Sequence, residues 1–245
     1  KVQVIANEYI KNFPKESIFL NINGIALINL KKIKEAIYFF QRAVDLKQDY
    51  FEAYNNLANA LKTDNNNKKA IYYYSKAIII KPGFVEPYYN LACLLRDMGQ
   101  YKKSISNFNK AIKINPKYLV AYYNLGCVLM KTNDFDKAID NFNKVIIINP
   151  KFVKAYINLG ISLKSIGKLN EAIVTYNKII KINPKSAEVH NNIGNVYREQ
   201  SLYNLATIPE SLITVSNRNS FLVTIPSTSQ SATRDIISLP NSWSG

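Results

Sequence analysis

The chain has 245 residues, 47% hydrophobic and 20% charged, with a formal net charge of +15. No apolar run approaches the ~20 residues that cross a bilayer, and the residues given hold no basic-then-apolar leader. The positive excess by itself would suggest nucleic acid or an anionic membrane, yet Lys outnumbers Arg 27 to 5 and Asn, Ile, Tyr and Phe abound, as A- and T-rich codons would give without selection for binding.

In chain order, a pattern of large, small and polar residues returns every 34 positions, the mark of stacked helix pairs. Residues 1–16 read as the second helix of one unit, with Pro14 near its end. Complete units of 34 then run over 17–50, 51–84, 85–118, 119–152 and 153–186. A partial unit follows at 187–206, where Ala187 to Gln200 makes a first helix whose companion starts at Leu202 and is interrupted by Pro209. From 207 to 245 Lys is missing and Ser and Thr are frequent, so this tail is expected to be disordered or loosely packed. Its apolar run from Phe221 to Ile225 could form a strand, with no evident sheet to join.

Within each unit, numbered 1 to 34, position 8 is small: Gly24, Ala58, Ala92, Gly126, Gly160 and Gly194. Position 24 is aromatic: Phe40, Tyr74, Phe108, Phe142 and Tyr176. Position 4 is Leu20, Tyr54, Tyr88, Tyr122, Tyr156 and His190. Small residues let two helices approach, and rings fill the space left between them. Pro82, Pro116, Pro150 and Pro184 close the second helices, and the Gly and Asn residues within Asp64 to Asn67, Met98 to Gln100, Asn133 to Asp134 and Ile166 to Lys168 suit a tight turn between the two helices.

On these residues the chain resembles the tetratricopeptide repeat family from residue 1 to about 206. NNLANAL at 55–61 and AYYNLG at 121–126 are most similar to the repeats of O-GlcNAc transferase-type proteins and their bacterial relatives. The resemblance implies an all-α fold, a right-handed solenoid of antiparallel helix pairs, in which the first helices line a concave groove that holds an extended peptide.

At ~100° per residue, positions 4, 7, 8 and 11 of the first helix share one side and positions 2, 5, 6, 9, 12 and 13 the other. Position 6 holds Asn56, Asn90, Asn124, Asn158 and Asn192 after Ile22. A carboxamide donates and accepts at once, so such a column could satisfy the backbone of an extended segment; equally, it could space adjacent helices. The column resembles the asparagine ladder of the O-GlcNAc transferase repeats. Position 12 adds Lys62, Arg96, Lys164 and Arg198, a basic edge from which an acidic peptide would gain. A second basic row at position 26, Arg42, Lys76, Lys110, Lys144 and Lys178, is expected on the solvated outer face.

No catalytic set, metal site or cofactor loop emerges. His190 falls in the aromatic row, where packing is the expectation, and Cys93 and Cys127 have no His beside them to activate them. Equivalent positions on neighbouring helices, ~8–10 Å apart, are too far for a disulfide, which needs Cα atoms within ~7 Å. Two free thiols point to a reducing, cytoplasmic setting.

The expected function is a non-enzymatic scaffold that binds a protein or peptide, an acidic one gaining most, with no nucleic acid and no membrane. The uncapped C-terminal end invites self-association. The alternative is the substrate-recognition arm of a larger O-GlcNAc-type protein glycosyltransferase whose catalytic domain lies outside this chain.

Overall fold

The structure, a computed structural model, describes residues 16–182 and 184–206 and two short strands at 213–217 and 220–223. The partial unit expected before Glu16 lies outside the described residues. The chain divides into two compact units at Lys185, Lys1–Lys185 and Ser186–Gly245.

Among the described residues, the first unit holds five helix pairs: α1 (Ser17–Asn29) with α2 (Ile33–Leu46), α3 (Phe51–Thr63) with α4 (Asn67–Ile80), α5 (Val85–Asp97) with α6 (Tyr101–Ile114), α7 (Leu119–Lys131) with α8 (Phe135–Ile148), and α9 (Val153–Ser165) with α10 (Leu169–Ile182). Each helix packs on the next in sequence, and each first helix also meets the first helix of the following pair. Connections this short force neighbours to run antiparallel.

The turn inside each pair is set by one residue. Position 15 takes a left-handed backbone in every pair, with φ of 61° at Lys31, 61° at Asn65, 72° at Gly99, 58° at Asn133 and 76° at Gly167. Its neighbour's amide then bonds back to the helix, as in Gln100 N to Leu95 O (2.8 Å) and Asp134 N to Leu129 O (2.9 Å). This satisfies carbonyls that the helix end would leave open. Gly and Asn adopt that conformation readily; Lys31 adopts it at a cost of about 1 kcal/mol.

Inside each pair the small residue at position 8 meets the ring at position 24. A methyl group built on Gly24 would lie 2.5 Å from Phe40 Cε1, and one on Gly126 would lie 2.7 Å from Phe142 Cε1. Phe40, Tyr74, Phe108, Phe142 and Tyr176 are all sealed from solvent. Each buried ring contributes roughly 1.5–3 kcal/mol of transfer free energy. The two Tyr rings still need a hydroxyl partner, and Tyr74 donates to Asn59 Oδ1 at 2.6 Å.

The second unit differs from expectation. A single helix, α11 (Ala187–Ala206), runs through the point where a turn and a separate companion helix were expected. Position 15 is here Ser201, which stays helical. Gly194 has open space where a Cβ would go, and His190 is exposed instead of packed. The tail residues also pair: β1 (Ile213–Asn217) runs antiparallel to β2 (Ser220–Val223), with Val215 opposite Phe221. The run at Phe221 therefore does find a partner strand, supplied by the chain just before it.

No helix among the described residues is long and apolar enough to cross a membrane.

Candidate functional site

The layer of first helices carries the asparagine column, and the structure shows what its amides do. Asn56 Nδ2 donates to Asn21 Oδ1 (3.0 Å) and Asn90 Nδ2 to Asn55 Oδ1 (3.1 Å). Asn124 Nδ2 donates to Tyr89 Oη (3.2 Å) and Asn158 Nδ2 to Tyr123 Oη (3.3 Å). In each case position 6 of one pair bonds to position 5 of the pair before it, so the column is stitched to its neighbours. Asn21 passes the chain on, donating to Tyr50 Oη at 3.2 Å.

Position 5 consequently does not belong to an open stripe. Asn21, Asn55 and Ile157 are buried, and Tyr89 and Tyr123 half-buried, because this position lies in the seam between first helices. Residues at position 34 complete the seam, a column that the reading of the sequence passed over. Tyr89 meets Tyr118 edge-on at 5.2 Å and Tyr123 meets Phe152 at 5.1 Å. The signal was present in the sequence as Tyr50, Phe84, Tyr118 and Phe152, one per unit.

The column residues Asn56, Asn90, Asn124 and Asn158 are half-buried, while Tyr88 and Tyr156 at position 4 are buried and Tyr54 and Tyr122 half-buried. The faces thus fall as the helical phase requires. The donors of the column are engaged across pairs, but the carbonyl oxygens of Asn56, Asn90 and Asn158 accept no hydrogen bond from the described residues. Asn124 is the exception: its Oδ1 accepts from Arg96 Nη1 at 2.6 Å and its Nδ2 also donates to Val120 O at 2.8 Å.

The basic edge is partly offset. Arg96 pairs with Asp97 (Nη2 to Oδ1, 2.8 Å), and Lys62 reaches Asp97 Oδ2 from the previous pair at 3.7 Å. Lys164 lies on α9. Asn192 and Arg198 belong to α11 in the second unit, where Arg198 Nη2 donates to Asn195 Oδ1 at 3.3 Å. The outer row at position 26 leans on aromatic rings: Arg42 over Tyr38 (5.7 Å), Lys76 over Tyr72 (5.4 Å) and Lys110 over Tyr88 (5.9 Å). Such cations gain about 0.5–1 kcal/mol from the ring face at exposed sites.

Cys93 and Cys127 are free thiols. Burial pushes both up from the ordinary thiol value, against the lowering effect of hydrogen bonds from Tyr89 and Tyr123. They are therefore poor thiolates, the opposite of an activated nucleophile. Burial likewise raises Tyr89, and Tyr123 is pushed up to about 12. Among the described residues no cluster of His, Cys, Asp and Glu could hold a metal.

Helix pairs repeated in register, each burying its face on the next, define an α-solenoid of the repeat-scaffold class. Tetratricopeptide repeat models match at residues 51–84, 73–106 and 120–152, and a TPR repeat model at 93–133 and 162–201. These matches together span more than half of the sequence, and the chain belongs to the tetratricopeptide repeat family. Among solved structures it is similar to YrrB, described as a TPR protein with an unusual peptide-binding site, at 20% identity over 76% of this chain and 96% of that one, with a TM-score of 0.65. It is also similar to MamA, at 24% identity over 70% and 94% of the two chains with a TM-score of 0.64. A tetratricopeptide repeat protein from Parabacteroides merdae matches at 18% identity over 78% and 77% with a TM-score of 0.65. At these identities the likeness is one of fold. No curated protein matches the chain.

Proposed function

We propose that this protein is a non-enzymatic interaction scaffold, and that the layer of first helices forms a groove holding an extended polypeptide segment. The observation that carries the reading is the row of carbonyl oxygens at Asn56, Asn90 and Asn158, each fixed by its own amide's bond to the previous pair and each left with an acceptor to offer. A held acceptor loses little side-chain entropy on meeting a backbone N–H. Asn124, Asn192, Lys62, Arg96, Lys164 and Arg198 are the remaining proposed contacts. YrrB, one of the similar folds, is described as having a peptide-binding site.

The test is recovery of a partner from a matching lysate by the whole chain and by a variant with Asn56, Asn90 and Asn158 changed to Ala, with thermal melts alongside. The column also stitches the pairs, so each change should lower stability by about 0.5–1.5 kcal/mol. Equal recovery by a folded variant removes the column from the contact surface. The transferase-arm reading rests on the same column, and the reading frame downstream separates the two: a sugar-nucleotide-binding domain there would favour the arm. Nucleic-acid binding draws less support, because the basic residues are spread over two faces rather than gathered in one groove and the repeated rings at position 24 are buried, leaving only scattered exposed ones such as Tyr38 and Tyr72 among the described residues for stacking. We place the protein in the cytoplasm on its two free thiols.

A further inference from the structure

The outer layer of second helices opens into clefts between neighbouring pairs. One cleft of about 250 Å³ lies between α4 and α6 over α5, lined by Ile71, Leu91, Leu95, Lys103, Ser106 and Asn107 among others. Another of about 350 Å³ lies between α8 and α10 over α9, with Leu159, Leu163, Glu171 and Lys178 in its lining. Both volumes stand at or below the small end of the ~300–1,000 Å³ that enclose a drug-sized ligand. Such clefts have room for one or two side chains of a partner.

The two clefts share a leucine floor at positions 7 and 11 but not a rim. Around the first, Lys103 and Lys110 stand on one side of α6, two helical turns or ~10.5 Å apart, and Lys110 Nζ lies 5.9 Å from the Tyr88 ring centroid. Lys68 lies one turn before Ile71, on the same side of α4. All three are exposed, and none of the ion pairs among the described residues includes any of them. Neither α4 nor α6 holds an Asp or Glu. The acids of α5, Glu86 and Asp97, fall at positions 2 and 13, on the side of that helix turned away from the cleft. Around the second cleft, Asp136 and Glu171 stand where Lys68 and Lys103 stand in the first, and only Lys178 matches Lys110. One rim has three cations and no acid, the other a single cation against two acids.

We propose that the cleft between α4 and α6 is a second docking surface, separate from the groove, for an acidic amphipathic helix of a partner protein. Its apolar side chains enter over Leu91 and Leu95, and its carboxylates meet Lys68, Lys103 and Lys110. An apolar floor under a cationic rim favours a partner with both characters; a phosphate backbone offers the charge and leaves the floor unused. A helix suits the spacing, because its own residues seven apart lie on one face at the same ~10.5 Å as Lys103 and Lys110. A second copy of the chain fits less well, since its net charge of +15 is repelled by the rim. Helices α4 and α6 have pairs stacked on both sides, so the cleft belongs to the interior of the array.

The test is an anisotropy titration of the full chain with a fluorescein-labelled synthetic helix that carries two Leu four residues apart and two Glu seven residues apart. This peptide should bind about tenfold tighter than the same peptide with both Leu changed to Ser. Lys103→Glu with Lys110→Glu should weaken it about tenfold and remove most of its salt dependence. Lys144→Glu with Lys178→Glu, the same change of charge beside the second cleft, should leave the affinity within about twofold. All four lysines are exposed, and thermal melts matching the wild type show that the variants fold. Changing Asn56, Asn90 and Asn158 to Ala should not alter binding; a loss there would place the peptide in the groove, overturning the outer site and leaving the groove reading standing. No binding of the peptide, equal losses from the two Lys pairs, or binding indifferent to the Leu residues also overturns the proposal. So does binding of an oligouridylate or of phosphatidylserine vesicles that the changes at Lys103 and Lys110 weaken more than they weaken the peptide, which would give the surface to a phosphate polyanion.

Discussion

The pair α7–α8 and the helix α11 begin with nearly the same signals and end differently. Both have Asn at position 6 and Gly at position 8, Asn124 and Gly126 in one and Asn192 and Gly194 in the other. In the first, Asn133 turns the chain with φ of 58° and brings Phe142 down onto Gly126. In the second, Ser201 remains helical, and Glu210 stands in the sequence where the ring should be. A small residue therefore means close packing only when the turn that follows delivers something to pack.

The largest test of that difference is removal of the ring. Phe142→Ala should cost about 3–5 kcal/mol, read as a lower urea midpoint, whereas Tyr197→Ala, at a residue 51% exposed on α11, should change it by less than about 0.5 kcal/mol. Comparable losses at the two sites would erase the distinction.

Alkaline unfolding should follow in size, since it draws on many rings of the stacked pairs. Burial raises Tyr50, Tyr54, Tyr73, Tyr74, Tyr118 and Tyr123 and both thiols in the folded state. A group that holds its proton more tightly when folded stabilises the fold fully below its unfolded value and loses that contribution as pH rises through the folded one. The melting temperature should accordingly hold near neutrality and fall from about pH 9 to 10 upward. A melting temperature that stayed constant to pH 11 would contradict the burial of these groups.

Glycine substitutions should change sign between the regions. At Gly126 a new methyl meets Phe142, and overpacking of about 1–3 kcal/mol outweighs the gain of about 0.5–1 kcal/mol from replacing a helical Gly. At Gly194 nothing lies within 4 Å, so Gly194→Ala should show only the gain, as increased helix signal or a later melt. Smallest of all is the turn: Lys31→Asn should raise stability by less than about 1 kcal/mol, while Asn133→Ala should lower it by about 1 kcal/mol. Identical responses at 31 and 133 would mean that the left-handed residue does not set the turn.

Much of the fold was legible because its causes are local. A period of 34 fixes which residues recur, the phase of a helix fixes which of them face inward, and the Gly and Asn residues between the two helices mark the turn, though not which single residue makes it. The alternation of Gly126 with Phe142 could be read directly as a small residue opposite a large one. The fate of 187–206 was less visible, since a helical start at Ala187 looks the same whether or not the chain later turns back.

The site was legible as a column and illegible as a network. That Asn90, Asn124 and Asn158 share a face follows from the spacing of their residues. That their amides bond to Asn55, Tyr89 and Tyr123 does not, for the partners sit 35 residues away and meet only once two pairs have stacked. Composition and period determined the family and the two sides of each helix, because those depend on neighbours along the chain. Only tertiary structure decided which polar groups remained available to a partner, because a hydrogen bond already made across a helix seam cannot be seen from either helix alone.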